Sequence, residues 1–145
     1  MYGEPSEESA LEWSWVDAQL QAAGTYWVVG RSDGSPHPRP VWGVWSAGLL
    51  HLSIGSPPLL RQLNSDSAVA VHLDSGTDVV IVEGLVRGMA ADPDAVASYD
   101  AKYEWNYNVD EYGAFAVIQA QRVLAWRAAG FAGREGFKQT GRWRY

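Results

Sequence analysis

At 145 residues the chain is long enough for one compact domain and short for two, because a domain of this size already buries about 68–70% of its unfolded surface. With 47% hydrophobic and 19% charged residues it reads as a globular protein, which excludes a disordered or fibrous chain. The absence of cysteine excludes disulfides, thiolate metal ligands and thiol catalysis, and is compatible with the reducing cytoplasm expected for it. A net charge of −6 argues against a nucleic-acid binder, whose footprint is a basic face.

The charge is uneven. Residues 1–121 carry a balance of −11, whereas residues 122–145 carry +5 through Arg122, Arg127, Arg134, Lys138, Arg142 and Arg144 against Glu135. Such a basic end is expected to fold back, to meet a partner subunit or to face an anionic ligand, a solvated tail being the plainer alternative. From Met1 to Asp17 there are five acids and no base, the reverse of a secretory leader, so this start is expected to be retained. Apolar runs such as Val79 to Val82 are strand-sized, and no membrane span is expected.

In chain order, Ser9 to Ala23 spaces Leu11, Trp15 and Leu20 as a helix would, with Ser9 and Glu12 as a capping box and Gly24 as the stop. Tyr26 to Gly30 is rich in β-formers and runs into the turn cluster Ser32 to Pro36. Pro40–Trp45 and Leu49–Ile54 form a second hairpin around Ser46-Ala47-Gly48. Pairing Trp45 with Leu49 would set Gly43 opposite His51, Val41 opposite Ser53 and Arg39 opposite Gly55. In that register a polar His51/Ser53 pair faces a hollow left by the glycine.

Pro57 and Pro58 open a short helix carrying Leu59, Leu60 and Leu63. Val69–Leu73 and Val79–Val86 read as strands split by a polar turn. Asp92 caps a helix from Pro93 to about Glu104 with Val96, Tyr99 and Tyr103 on one face, and Phe115 to Arg127 is the sixth strand. Beyond Ala128 the periodicity lapses, leaving a basic, aromatic tail over 128–145. One domain therefore spans residues 1–145, with an N-terminal helix within 1–24. Six strands on hairpin-length links favour an antiparallel barrel flanked by helices, a mainly β fold. Eight tryptophans exceed the needs of one small core, so several are expected at a subunit interface or against a planar ligand.

Metal and hydrolase chemistry lack their residues. His37, His51 and His72 stand in separate segments without a spaced partner, and no GxSxG, P-loop or GxGxxG is present. What remains is a set of polar groups near strand ends: Arg39, His51, Ser53, Ser56, Arg61 and His72. Guanidinium, imidazole and hydroxyl donors gathered at a barrel mouth suit a phosphate or other anion. Solvated arginines and hydrogen-bonded strand histidines are the ordinary alternative. Glu83 is expected to face solvent at a strand end, a buried carboxylate with functional meaning being the alternative.

The order of Tyr26-Trp-Val-Val-Gly, Asp33-Gly-Ser-Pro-His-Pro-Arg-Pro-Val-Trp-Gly-Val-Trp, Leu50-His-Leu-Ser-Ile-Gly, the segment from Arg61 through Gly84, and Thr140-Gly-Arg-Trp-Arg-Tyr resembles the pyridoxamine 5′-phosphate oxidase-like split-barrel family over about residues 20–145, particularly its flavin/deazaflavin oxidoreductase branch. The resemblance implies a six-stranded split β-barrel and a homodimer with two cofactor clefts between the subunits. Each cleft would hold FMN or, alternatively, the deazaflavin coenzyme F420. It implies that Pro40, Val41 and Trp42 run their backbone beside the cofactor ring, with Arg39 next to them a candidate for the phosphate. Ser53, Ile54, Gly55, Ser56 and the helix containing Arg61 would approach its phosphate, His51 remaining a candidate from the polar set, and Trp126, Arg142 and Trp143 would lie near the cleft, toward the neighbouring subunit.

This chain departs from the family where a serine or threonine and then a lysine usually meet the phosphate: the aligned positions are Pro57 and Leu59. A charged hydrogen bond contributes about 1.5–3 kcal/mol, so the loss is appreciable. No catalytic residue is implied, because hydride chemistry belongs to such a cofactor. The implied activity is hydride transfer to or from a small organic substrate. The alternatives are a non-catalytic binding module for a planar ligand on the same barrel and a purely structural dimer.

Overall fold

The computed structural model describes residues 4–5, 11–32, 35–65, 68–127 and 139–145. Their order is β1 (Glu4–Pro5), α1 (Trp13–Ala22), β2 (Tyr26–Ser32), β3 (Ser35–Ser46), β4 (Leu49–Ser53), α2 (Pro57–Ser65), β5 (Ala68–His72), β6 (Asp78–Ala90), α3 (Pro93–Tyr103), α4 (Val109–Tyr112), β7 (Phe115–Arg127) and β8 (Gln139–Arg144). All strand pairs are antiparallel, and β7, β4, β3, β2, β5 and β6 follow one another before β6 returns to β7. This ring is the mainly β, six-stranded split barrel that the sequence implied. Among the described residues no helix is long and apolar enough to cross a membrane.

Strand β7 holds the barrel together. Along one edge it pairs with β6 throughout, while its other edge pairs with β4 over Ala116–Gln119 and with β8 from Arg122 to Arg127. The end of the chain is therefore a strand rather than an aperiodic tail over 139–144. Gly141 and Trp143 point inward while Thr140, Arg142 and Arg144 are exposed, so only two inward positions carry the alternation. The rest of the expected tail, residues 128–138, and the cap Ser9 lie outside the described residues. Helix α1 starts at Trp13 with Glu12 as an N-cap that makes no side-chain hydrogen bond.

Two cores result from strand alternation. The larger one fills the barrel with Tyr26, Val28, Leu50, Leu52, Val71, Val82, Ile118 and Trp143, and extends to Leu20 of α1 and Leu59 of α2. On the opposite face, Val44 of β3 and Phe115 of β7 pack under Ala95, Tyr99 and Tyr107. Helix α3 is fixed there by Asp92, whose carboxylate accepts from the Ala95 N–H at 3.1 Å.

The β3–β4 register differs from expectation by one residue. Trp42 pairs with Ser53, Gly43 with Leu52, Val44 with His51 and Trp45 with Leu50. The cause is the turn: Ala47 and Gly48 both take positive φ, 49° and 82°, so a two-residue loop joins Ser46 to Leu49 where a three-residue loop was expected. One residue of slip exchanges the faces. The space over Gly43 is consequently filled: a Cβ there would sit 2.6 Å from the Leu52 Cδ2 and 2.5 Å from the His51 carbonyl oxygen.

Candidate functional site

A groove of about 390 Å³ is formed where β3, the end of β4 and the start of α2 meet α3. Its lining comprises Arg39, Pro40, Val41, Trp42, Ser53, Gly55, Ser56, Leu59 and Tyr99. Prolines at 36, 38 and 40 keep this part of β3 extended while removing N–H donors. The strand's outer stretch from Ser35 to Pro40 is exposed except at His37, which is half-buried. Arg39 extends there, its guanidinium donating to the Pro38 carbonyl at 2.7 Å.

At the far end, Ser56 caps α2. Its hydroxyl accepts from the Leu59 N–H at 3.4 Å and its carbonyl accepts from the Leu60 N–H at 3.0 Å. The first two helical residues are prolines, so the amide hydrogens that a helix N-terminus ordinarily aims at an anion are missing there. Anion-binding chemistry in the groove therefore falls to Arg39 and to the hydroxyls of Ser53 and Ser56. Ser53 also interacts with the Tyr99 hydroxyl, and burial pushes the pKa of Tyr99 up to about 12.

The aromatic wall has its own support. Trp42 is 44% exposed and stacks on Tyr103, with centroids 4.5 Å apart and planes within 2°. Tyr103 is pinned by its hydroxyl, which accepts from the Gly43 N–H at 3.0 Å and reaches the carbonyls of Gly24 at 2.9 Å and Gly43 at 3.1 Å. Beside it, the Lys102 ammonium donates to the Gly43 carbonyl and to the Tyr26 hydroxyl, each at 2.9 Å, and lies 4.6 Å from the Tyr26 ring centroid. Tyr26 in turn donates to the Leu20 carbonyl. Both of these Lys102 acceptors are neutral oxygens, and burial lowers its pKa to about 8.

The expected site residues separate into three groups. Arg39, Pro40, Val41, Trp42, Ser53, Gly55 and Ser56 are brought together in the groove. His51 and Ile54 are not: Ile54 is buried in the barrel core, and His51, 8% exposed, faces Phe115 and a separate cavity of about 250 Å³ beside Asp92 and Asp94. Burial holds the pKa of that imidazole below its usual value, the nearby Asp92 opposing the shift. His51 shares its sheet face with Ser53 and Trp42, but it sits two residues nearer the β3–β4 turn, opposite Val44, which packs under α3.

The remaining four are dispersed. Arg61 is exposed on α2 outside the groove lining, Trp126 is half-buried on β7 across from Thr140 of β8, and Arg142 is exposed on β8. The Trp143 ring is fully buried in its own barrel, 5.2 Å from Trp13 between ring centroids, so it is a core residue and not one that reaches a neighbour's cleft. Two of the bases expected in the tail are paired within the sheet: Arg122 with Glu83 at 2.7 Å, and Arg127 with Asp78 at 3.7 Å. Glu83 is thus a partly exposed ion-pair partner.

Sequence reasoning missed Tyr99 and Lys102 as site residues. The i, i+4 pair Tyr99/Tyr103 read as helix core, which Tyr99 also is. Lys102 carried no signal, since a lone lysine in the last turn of a helix is ordinary.

No protein-family model and no curated protein matches the sequence. Solved structures of similar fold include the following three. An F420 reductase aligns with a TM-score of 0.61 and 18% identity over 74% of this chain and 94% of its own. An FAD-binding protein from Mesorhizobium loti aligns at 0.63 and 16% over 93% and 96%. A conserved hypothetical protein from Mycobacterium tuberculosis aligns at 0.68 and 16% over 92% and 99%. At these identities the likeness establishes a shared split-barrel fold.

Proposed function

We propose that this chain is a flavin- or deazaflavin-binding oxidoreductase that takes FMN, or alternatively coenzyme F420, in the β3–β4–α2 groove and transfers hydride to or from a small organic substrate. The observation that carries the reading is the groove itself, which joins an extended backbone strip, an exposed indole, a guanidinium and two hydroxyls in a volume within the range of about 300–1,000 Å³ typical of small-molecule sites. The names F420 reductase and FAD-binding protein, carried by two structures of the same fold, point the same way.

The donor set fits a planar ring with an anionic chain. Pro40, Val41 and Trp42 would flank the ring, and Arg39 with Ser53 and Ser56 would hold the chain. When bound, such a cofactor supplies the hydride chemistry. The protein's part is to orient the ring on β3, through the clamp that Lys102 and Tyr103 place on Gly43. The groove is open on one side, and a second copy of the chain is proposed to cover it in a cytoplasmic homodimer.

Titrating the apo protein with FMN and with F420 under fluorescence, followed by reduction with a nicotinamide donor, tests the assignment. Saturable binding of one of them, weakened about tenfold by Arg39→Ala as expected for a charge-assisted contact, is the expected result; no binding of either overturns it. A second reading, a binding module without turnover, is favoured by the two prolines and Leu59 at the start of α2, and predicts saturation without reduction.

A further inference from the structure

Beside the groove the chain exposes aromatic surface that packing does not explain. Trp105 is 46% exposed and Tyr112 41%. Trp105 meets Trp42 edge to face at 6.1 Å between centroids, and Tyr112 at 6.3 Å, so the patch is continuous with the groove wall. Covering the exposed part of such rings is favourable.

The segment is nevertheless firmly built. Glu104 ends α3 in the left-handed region, φ 52°, a usual way for a helix to stop. The Trp105 N–H donates to the Asp100 carbonyl at 3.0 Å, and the Tyr107 N–H donates to the Asp100 carboxylate at 2.8 Å. Asn108 caps α4 by accepting from the N–H groups of Asp110 and Glu111. These bonds fix the backbone that carries Trp105 and Tyr112.

The charge on its own segment has one sign. Glu104, Asp110 and Glu111 are exposed on this segment, residues 103–113 contain no base, and Lys102 turns its ammonium inward onto Tyr26 and Gly43. The cofactor end of the groove, by contrast, presents Arg39. Indole faces attract cations, and carboxylates repel anions.

Resting on the oxidoreductase reading above, we propose that Trp105, Tyr112 and the exposed part of Trp42 seat the second reactant, and that this reactant is a planar aromatic compound that is neutral or positively charged.

Equilibrium dialysis of the full chain against three bicyclic probes of similar size, N-methylquinolinium, naphthalene and naphthalenesulfonate, separates ring stacking from charge. The cation and the neutral ring are expected to be retained, with the sulfonate about tenfold weaker. Trp105→Ala should weaken the first two about tenfold and Trp105→Phe much less, with the Kd for FMN or F420 unchanged. Equal retention of the sulfonate, or no response to Trp105→Ala, overturns the seat. So does sedimentation showing that Trp105→Ala splits a dimer, because the patch would then be a subunit interface. If neither cofactor binds but the probes do so through Trp105, the seat stands and the hydride assignment fails.

Discussion

Lys102 shows how much one side chain can decide. Its ammonium is half-buried against neutral oxygens and two tyrosine rings, and burial lowers its pKa from 10.5 to about 8. The unfolded chain therefore binds this proton more tightly than the folded one, so stability should rise as pH rises from about 8 toward 10. Above pH 10 the trend reverses, because burial raises the pKa values of Tyr26, Tyr99 and Tyr103 and the unfolded chain loses those protons first. Chemical denaturation across this range should show the rise in the native protein and a flatter profile in Lys102→Met. An unchanged profile in the variant would place the titration elsewhere. None of this was legible beforehand: Lys102 acquires its role only when α3 lies across β3. His51 and Trp143 lie outside the groove for the same kind of reason, since chain position does not reveal what packs over a sheet residue.

Among the elements, the six barrel strands and helices α1, α2 and α3 could be read from sequence. Runs such as Val79 to Val82 are β-branched and bounded by turns, and Asp92-Pro93 is a strong start signal. The pairing was harder. Ser46-Ala47-Gly48 looks like a three-residue link, and only alanine's positive φ at 47 shows a two-residue turn. Helix α4 was unread because four residues show no period, and β8 because Gly141 resembles a breaker. The cap on α3 offers a test at this scale: Asp92→Ala should cost about 0.5–2 kcal/mol. Since Tyr99 and Tyr103 support the groove wall from α3, cofactor affinity should fall along with the denaturation midpoint. A stable variant with unaltered affinity would uncouple that helix from the groove.

For the whole molecule, the barrel closes without a second chain, since β6 and β7 pair along their length. Folding and assembly are then separable, and the proposed dimer is expected to matter for ligand affinity more than for the monomer's integrity. Sedimentation with and without cofactor should show a dimer that cofactor tightens; a monomer that binds cofactor at full strength would remove the second copy from the site. The prolines that open α2 have a practical consequence here. Backbone amides grip an oxyanion at close range, whereas an exposed guanidinium attracts through solvent, and dissolved ions weaken that pull over a Debye length of about 8–10 Å at physiological ionic strength. If, as proposed, Arg39 substitutes for the missing amides, moderate salt in a purification buffer should be enough to strip the proposed chromophore, leaving a colourless preparation of an otherwise intact protein.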